Sequence, residues 1–262
     1  MNVIDRNNVV VSGNGTSPMM FAHGFGCDQN MWRFITPAFH ETHKIILFDH
    51  VGAGKSDLSA YDPAKYKELD GYAADIIEIA NALELEDIIF VGHSVSAMMG
   101  ILSAEQAPNL FKSLILVAPS PSYINDGDYV GGFSKNEIDE LLASLDANHM
   151  GWSMTMAPMI MANPERAELG DELTNSFCRT DPAIAQQFAR ATFLTDSRGI
   201  LTSCAIPSLI LQCSNDIIAP IEVGKYLNKQ MVNSELVILD ASGHCPHLSA
   251  PEDTISAIKA YL

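Results

Sequence analysis

The chain has 262 residues, of which 47% are hydrophobic, and its 15 basic and 32 acidic residues give a formal net charge of −17. A chain of this length and composition can bury a large core, which predicts one large α/β domain or a domain with an inserted subdomain. Because a strongly negative surface repels nucleic acid and anionic lipid, we exclude both as partners.

The cysteines and the N-terminal residues bear on the compartment. Cys27, Cys178, Cys204, Cys213 and Cys245 are odd in number and form no CxxC pair, which is typical of reduced thiols. The first residues contain no signal-peptide apolar region, and no apolar run approaches the ~20 residues that span a bilayer. We therefore expect a cytoplasmic protein that is not inserted in a membrane.

The N-terminal part of the chain predicts strands of a sheet. Short apolar runs at 9–11 and 18–22 are separated by a glycine-rich turn at 13–15, so we expect two strands at a sheet edge that are joined by this turn. A helix-like stretch over 32–39 then precedes a buried strand at 44–49.

Residues 23–26, His-Gly-Phe-Gly, follow the second of these strands. Glycines on both sides of Phe25 let the backbone turn closely and aim an N–H outward. The N–H of Phe25 therefore suits one donor of an oxyanion hole, and a plain glycine-rich turn is the alternative.

Residues 50–56 end in Gly-Lys-Ser and invite comparison with a phosphate-binding loop. Such a loop requires glycine five positions before its second glycine, and that position holds Asp49. The chain offers no further nucleotide signal, so we reject nucleotide binding. The glycines instead predict a tight loop at the carboxyl edge of the sheet.

Residues 88–100 contain the most informative motif. An apolar strand pattern ends in Gly92-His93-Ser94-Val95-Ser96, and an Ala/Met-rich helical pattern begins at once, as in a nucleophile elbow. The strained turn needs small neighbours around Ser94, a need that Gly92 meets, whereas Ser96 stands where the usual pattern has glycine. The N–H of Val95 is the second candidate oxyanion donor. An ordinary serine N-cap is the alternative for Ser94.

The arrangement of elements predicts the architecture. A helical pattern at 69–83 and a buried strand at 114–118 flank the elbow, and this alternation predicts a mostly parallel, doubly wound sheet. From 122 to 195 the patterns are mostly helical and rich in methionine, and no strand pattern interrupts them. We therefore predict a helical cap over 122–195, inserted into a core domain of residues 1–121 and 196–262.

The predicted cap combines flexible thioethers with large aromatic side chains. Its prolines, Pro158 and Pro164, predict that its helices are short. Core packing accounts for much of this composition, but the same side chains would line an adaptable apolar pocket. Our candidate pocket residues are Trp152, Phe133 and Met154.

Strand patterns return at 207–213 and 236–239, before an amphipathic helix at 252–262 closes the chain. Asp216 comes shortly after the first of these strands, and His244 comes shortly after the second. Both side chains are therefore expected at the carboxyl ends of parallel strands, where α/β proteins place their sites.

Ser94, Asp216 and His244 together predict a catalytic triad. A serine hydroxyl is a poor nucleophile at neutral pH, so it needs a histidine base and an acid that orients the base. Each residue is a weak signal alone, but their order along the chain and their strand-end positions match an α/β hydrolase. Asp240 is a rival for the orienting acid, and Asp216 is preferred for its position.

The other histidines have alternative explanations. His244 and His247 could form a metal-binding pair, but Pro246 breaks helical spacing and no third-ligand cluster is evident, so we expect no metal site. His23 and His93 flank the candidate oxyanion and nucleophile positions, where we expect structural hydrogen bonds.

Four motifs together resemble the RsbQ-like α/β hydrolases, a group that includes a bacterial stress-signalling hydrolase and the plant karrikin and strigolactone receptors. They are residues 23–29, 92–98, 215–216 and 243–247, and the resemblance runs nearly end to end. The final serine of the Gly-His-Ser-Val-Ser elbow resembles the plant receptors in particular.

The resemblance implies an α/β-hydrolase fold in which a four-helix cap covers a closed apolar pocket. It assigns the triad to Ser94, Asp216 and His244 and the oxyanion hole to Phe25 and Val95. Trp152 corresponds to a tryptophan of the cap. The bacterial member of the group acts upstream of a PAS-domain phosphatase, so a protein partner of that kind is implied by resemblance alone.

Two functional hypotheses follow. The first is a serine esterase or lactonase that needs no cofactor and acts on a small apolar ester or lactone through an acyl-serine intermediate. The second is a ligand receptor or signalling adaptor that hydrolyses slowly and acts through a protein partner. Haloalkane dehalogenases and epoxide hydrolases are set aside because they need a carboxylate nucleophile where Ser94 stands.

Overall fold

A computed structural model describes residues 2–262 and contains one seven-stranded sheet. The strands are β1 (Val10–Ser12), β2 (Ser17–Ala22), β3 (His43–Leu47), β4 (Ile88–His93), β5 (Phe111–Val117), β6 (Ser208–Asn215) and β7 (Ser234–Ser242). Their order is β1-β3-β2-β4-β5-β6-β7. The β1–β3 pair is antiparallel and all other neighbours are parallel. The sheet is therefore mostly parallel, as predicted.

Helices cover both faces of the sheet, and each face has its own apolar cluster. The helices are α1 (Val3–Arg6), α2 (Leu69–Ala82), α3 (Val95–Gln106), α4 (Lys135–Ala147), α5 (His149–Met161), α6 (Ala167–Arg179), α7 (Pro182–Phe193), α8 (Ile221–Gln230), α9 (Pro246–Ser249) and α10 (Pro251–Tyr261). The helix-like stretch near residue 32 forms two short 3₁₀ turns, Gln29–Trp32 and Thr36–Phe39. The helices of residues 2–262 are all too short or too polar to cross a bilayer.

The prediction that the first two strands lie together at a sheet edge was wrong for β2. β3 lies between β1 and β2, and its Ile45 is in register with Ser12 on one side and with Met19 on the other. The loop between β1 and β2 passes close over the start of β3, since a Cβ on Gly15 would lie 2.1 Å from the Thr42 backbone. The turn therefore spans a strand instead of closing a hairpin, and β2 is an interior strand.

Helices α4 to α7, which we call the four-helix segment (residues 135–193), lie between β5 and β6 in the chain. They fall within the predicted range 122–195, and their apolar side chains share a third cluster with residues near the elbow. The exact boundaries of a cap domain at 122 and 195 stay a prediction.

The expectation that Pro158 shortens a helix was wrong, because it lies inside α5. Proline there leaves one carbonyl of the preceding turn without an N–H donor, yet the helix continues to Met161. Its N-cap Asn148 accepts from the Gly151 N–H, and Ala162 ends the helix in a left-handed conformation. Capping and buried side chains on one face therefore outweigh the defect. Pro164 instead opens a 3₁₀ turn after the helix.

Asp49, the residue that excluded a phosphate-binding loop, organises the loop that follows it. Its buried carboxylate accepts hydrogen bonds from the N–H groups of Gln29 and Lys55 and from the Asn8 amide. The Asp49 carboxylate therefore stabilises the loop. Because it already accepts these N–H groups, they are not available to an anion.

Candidate active site

Ser94 lies at the sharp turn between β4 and α3, with φ 57° and ψ −123°. This is a strained conformation for a residue with a side chain, and it is typical of a nucleophile elbow. The turn is tight enough that a Cβ on Gly92 would lie 2.6 Å from the Ser96 carbonyl oxygen. The Ser94 N–H donates to Val117 O at 2.8 Å, which ties the turn to β5.

The structure brings Ser94, His244 and Asp216 together in the order the sequence predicts. Ser94 Oγ lies 2.7 Å from His244 Nε2, and His244 Nδ1 lies 2.7 Å from Asp216 Oδ2. The carboxylate can only accept, so Nδ1 carries the proton and Nε2 presents its lone pair to the serine hydroxyl. All three side chains are buried. This is the arrangement that turns a serine hydroxyl into a nucleophile.

The rival acid, Asp240, lies elsewhere. It is exposed on β7, on a surface groove with Glu252 and Asp253. Asp216 is held at the end of β6, where its Oδ1 accepts from the N–H groups of Ile218 and Ala219. Those two bonds leave Oδ2 directed at the imidazole.

The peptide between Gly24 and Phe25 is oriented by hydrogen bonds to its oxygen. Gly24 O accepts from His23 Nδ1–H at 2.9 Å and from the Cys27 N–H at 3.3 Å. Because a trans peptide is planar, holding its oxygen on one side directs the Phe25 N–H to the other. Within residues 2–262, no backbone carbonyl outside the regular elements accepts from the N–H of Phe25 or of Val95. That both N–H groups serve as oxyanion donors stays a prediction.

Ser96, the unusual residue of the elbow, is linked to this peptide through two histidines. Its hydroxyl donates to His23 O at 2.5 Å and lies 2.8 Å from His50 Nε2. The backbone N–H of His50 in turn donates to His23 Nε2 at 3.2 Å, which leaves the His23 ring proton on Nδ1. Burial lowers the pKa of both histidines, so the rings are neutral. Ser96, which stands where the usual elbow has glycine, thus holds His23 in place, and His23 orients the Phe25 peptide.

The cavity beside Ser94 is small and mostly apolar. Its volume is about 30 Å³, on a scale where one water needs about 10–15 Å³. A larger ligand must therefore displace part of the wall. The lining residues are Phe25, Cys27, His93, Ser94, Tyr123, Ile160, Leu173, Phe177, Thr192, Phe193, Ile218, His244 and Cys245.

The three predicted pocket residues lie outside this lining. Trp152 is buried one layer behind it, stacked on Phe177 at 5.5 Å and edge-on to Phe25 at 6.1 Å between ring centroids. Phe133 is half-buried and packs against the same apolar cluster. The prediction for Met154 was wrong, since it is 62% exposed. Residues two positions apart on a helix point about 200° away from each other, so Met154 faces outward where Trp152 faces inward.

Sequence reasoning missed Tyr123. Its hydroxyl lies 3.3 Å from Ser94 Oγ, and burial raises its pKa, so the phenol keeps its proton. The signal was present, because an aromatic hydroxyl follows the Pro119-Ser120-Pro121 turn at the end of a strand beside the elbow. His93 forms the structural hydrogen bond that we expected, donating from Nε2 to His244 O at 2.8 Å.

A buried Ser-His-Asp arrangement at the carboxyl edge of a mostly parallel sheet defines the class of α/β hydrolases with a serine-type site. The model of the Alpha/beta hydrolase family matches residues 19–257, and the chain belongs to this family.

The relatives place the chain within the family. It is 32% identical over 261 residues to the karrikin insensitive 2 receptor CA of Petunia hybrida, covering 99% of this chain and 97% of the relative. It is 35% identical over 251 residues to a strigolactone esterase of Arabidopsis thaliana, covering 95% and 94%. It superposes with a TM-score of 0.97 on a hydrolase from Oleispira antarctica, at 39% identity and with 99% and 95% of the chains covered. The predicted family, with its karrikin and strigolactone branch, is confirmed.

Proposed function

We propose that the protein is a serine esterase or lactonase that acts on a small apolar ester or lactone through an acyl-serine intermediate. The observation that carries this proposal is the 2.7 Å separation of Ser94 Oγ and His244 Nε2, with Asp216 bound to the opposite ring nitrogen. Membership of a hydrolase family agrees with it.

In the first half of the reaction, Ser94 Oγ attacks the substrate carbonyl carbon while its proton passes to His244 Nε2. Asp216 stabilises the resulting imidazolium. The carbonyl oxygen becomes an oxyanion that accepts from the N–H groups of Phe25 and Val95. The C–O bond to the leaving group then breaks, and His244 returns the proton to the alkoxide.

In the second half, water attacks the acyl carbon and gives a proton to His244. The ester bond to Ser94 then breaks, and the serine recovers its proton from the imidazolium. With a lactone, the alcohol and the acid are parts of one product. Tyr123, a protonated hydroxyl beside Ser94, is placed to donate a hydrogen bond to a substrate oxygen.

The substrate class is inferred from the walls of the cavity. Apart from the triad and a few polar groups the lining is aromatic and aliphatic, which favours an apolar, uncharged ligand. Phe25 contacts Phe177, Phe188 and Phe193, with ring centroids 5.5 to 6.0 Å apart. Aromatic rings that meet in this way can shift without breaking hydrogen bonds, so they are the part of the wall expected to move.

A fluorophosphonate probe tests the proposal directly. We expect one covalent adduct per chain on Ser94, located by peptide mass analysis, and none on Ser94→Ala. Ser103→Ala is the matched control, since it removes another buried hydroxyl from α3. Labelling of Ser94→Ala to the same extent as the wild type would contradict the assignment.

A second candidate is a ligand receptor or signalling adaptor with slow hydrolysis, acting through a protein partner. It is favoured by the small size of the cavity, because entry and release of a larger ligand then depend on movement of the four-helix segment. Similarity to a karrikin insensitive 2 receptor of Petunia hybrida supports it. Turnover and hydrogen exchange of α4 to α7 should be measured with the same butenolide-type lactone. Rapid turnover without a change in protection would favour the metabolic enzyme, and a large change with slow turnover would favour the receptor.

A further inference from the structure

Three potential metal ligands converge directly behind the triad histidine. The ligand atoms of His93, Cys245 and His247 all lie within 4.8 Å of one another, and all three residues are buried. Cys245 and His247 follow His244 closely, whereas His93 comes from the end of β4. The proposed reaction uses none of these three side chains.

His93 and His247 each have one ring nitrogen with a lone pair that no hydrogen bond uses. His93 donates from Nε2 to His244 O at 2.8 Å, so its Nδ1 is unprotonated. In the part of the chain from residue 2 onward, that Nδ1 has no hydrogen-bond partner, and neither has Nδ1 or Nε2 of His247. Buried nitrogens without partners are rare in folded proteins and call for an explanation such as a bound ion.

The surroundings match those of a metal-binding histidine. A ligating imidazole usually donates its other N–H to a carbonyl or carboxylate, as His93 does to His244 O. Trp32 packs on the His247 ring with 4.7 Å between centroids, and the His93 and His247 rings lie 4.4 Å apart. Both rings are therefore held in place by aromatic contacts.

The protonation states also suit a metal. Burial lowers the pKa of His247 to about 3 and that of His93 well below its usual range, so both imidazoles are neutral at neutral pH. Burial raises the pKa of the Cys245 thiol. That thiol keeps its proton until a cation displaces it, as coordination to zinc does.

The cluster borders the cavity beside Ser94. Only glycine fits at position 24, where an added Cβ would lie 2.5 Å from His93 Nδ1. His93 and Cys245 also line the cavity beside Ser94, which provides an entry path. Two imidazoles and a thiolate suit zinc and other borderline or soft ions, whereas magnesium and calcium prefer oxygen ligands.

We propose that His93, Cys245 and His247 form a binding site for zinc(II) or an ion of the same borderline-to-soft class, with a fourth position open to the cavity. This differs from the sequence expectation, which considered His244 and His247 as the pair and predicted no site. The triad occupies His244, and the fold supplies His93 and Cys245 in its place.

The test uses the full chain, freed of metal with a chelator. Zinc chloride is titrated by calorimetry, bound metal is counted by mass spectrometry after dialysis, and cobalt(II) is titrated with an absorption readout. We expect one ion per chain and a thiolate-to-cobalt charge-transfer band. Cys245→Ser should weaken binding by more than about tenfold, because loss of a residue that only hydrogen-bonds to a metal ligand already costs about that much. It should also abolish the band.

Two controls keep the result specific. Cys178→Ser removes a cysteine that is only partly buried and should leave binding and the band unchanged. His247→Gln removes a ligand without touching a thiol and should weaken binding as Cys245→Ser does. Zinc binding no tighter in the wild type than in Cys245→Ser, or cobalt bound without the charge-transfer band in the wild type, would overturn the proposal. These readouts need no hydrolysis, so they do not depend on the proposed enzyme function.

Discussion

The sheet edge and the four-helix segment hold their functional side chains by different forces. At the sheet edge, directional bonds fix each polar group: two N–H groups hold Asp216, and a strained turn holds Ser94. Over the cavity, stacked rings such as Trp152 and Phe177 hold the wall by contact alone. Hydrogen bonds constrain both distance and angle, whereas apolar contacts have no preferred direction. We therefore expect the chemistry in the first region and ligand access through the second.

The two regions are joined at a few defined points. The His244 N–H donates to Ile160 O at 2.9 Å, and a Cβ on Gly243 would lie 2.1 Å from Met161 O. Ser176 Oγ donates to Gly26 O at 2.7 Å, and Arg33 forms a bidentate pair with Glu172. The C-terminal end of α5 and one face of α6 are thus anchored to the site. Movement that admits a ligand is expected in the rest of the segment.

The largest effect on turnover is expected at the sheet edge, where hydrogen bonds hold the polar groups. Ser94→Ala removes the nucleophile and should reduce turnover of p-nitrophenyl acetate by about a million-fold, as loss of a triad member does in a serine hydrolase. The small side chain fits the elbow, so the circular dichroism spectrum should not change. Hydrolysis by purified Ser94→Ala at the wild-type rate would place the chemistry elsewhere.

Asp216 and Asp240 provide a paired test of the orienting acid. Asp216→Asn should lower kcat by about ten-thousand-fold, because an amide in this place favours the wrong imidazole tautomer. Asp240→Asn changes an exposed group and should leave kcat within about twofold. Steady-state kinetics on the two variants measures the contrast, and the opposite ranking would move the acid to Asp240.

The link from Ser96 to the Phe25 peptide gives an intermediate effect. Ser96→Ala removes the hydroxyl that binds His23 O and His50 Nε2, and a misaligned donor costs up to about a hundredfold in rate. The loss should appear in kcat and in the affinity for a boronic acid analogue, with KM nearly unchanged. Ser103→Ala, which empties another buried hydroxyl site in α3, should show neither loss. Equal losses in both variants would mean that Ser96 only supports the fold.

Substitutions in the four-helix segment should change substrate specificity rather than the chemical step. Trp152→Ala removes the ring behind Phe25 and Phe177 and should relax the preference for short acyl chains by about tenfold per added pair of methylenes. It should also lower the free energy of unfolding by about 3–5 kcal/mol. Met154→Ala alters the exposed face of α5 and should change neither quantity. Profiles of kcat/KM against p-nitrophenyl ester length, with urea unfolding, provide the comparison.

Local sequence patterns and chain order were enough to predict the elbow and the placement of the triad residues. The small residues around Ser94, the strand that precedes it and the helix that follows it predict the elbow. Strand ends before Asp216 and His244 predict that these side chains reach the same edge, because parallel strands end on one side of a sheet. These inferences needed only patterns of a few neighbouring residues.

Contacts between residues far apart in the chain are visible only in the fold. Only the fold shows that β3 separates β1 from β2, that Tyr123 meets Ser94, and that Met154 faces outward while Trp152 faces inward. Only the fold brings His93 to Cys245 and His247. Apolar packing and side-chain direction are set by neighbours from other elements. A pattern along the chain therefore predicts that a methionine-rich helix is buried on one side but not which of its side chains faces the cavity.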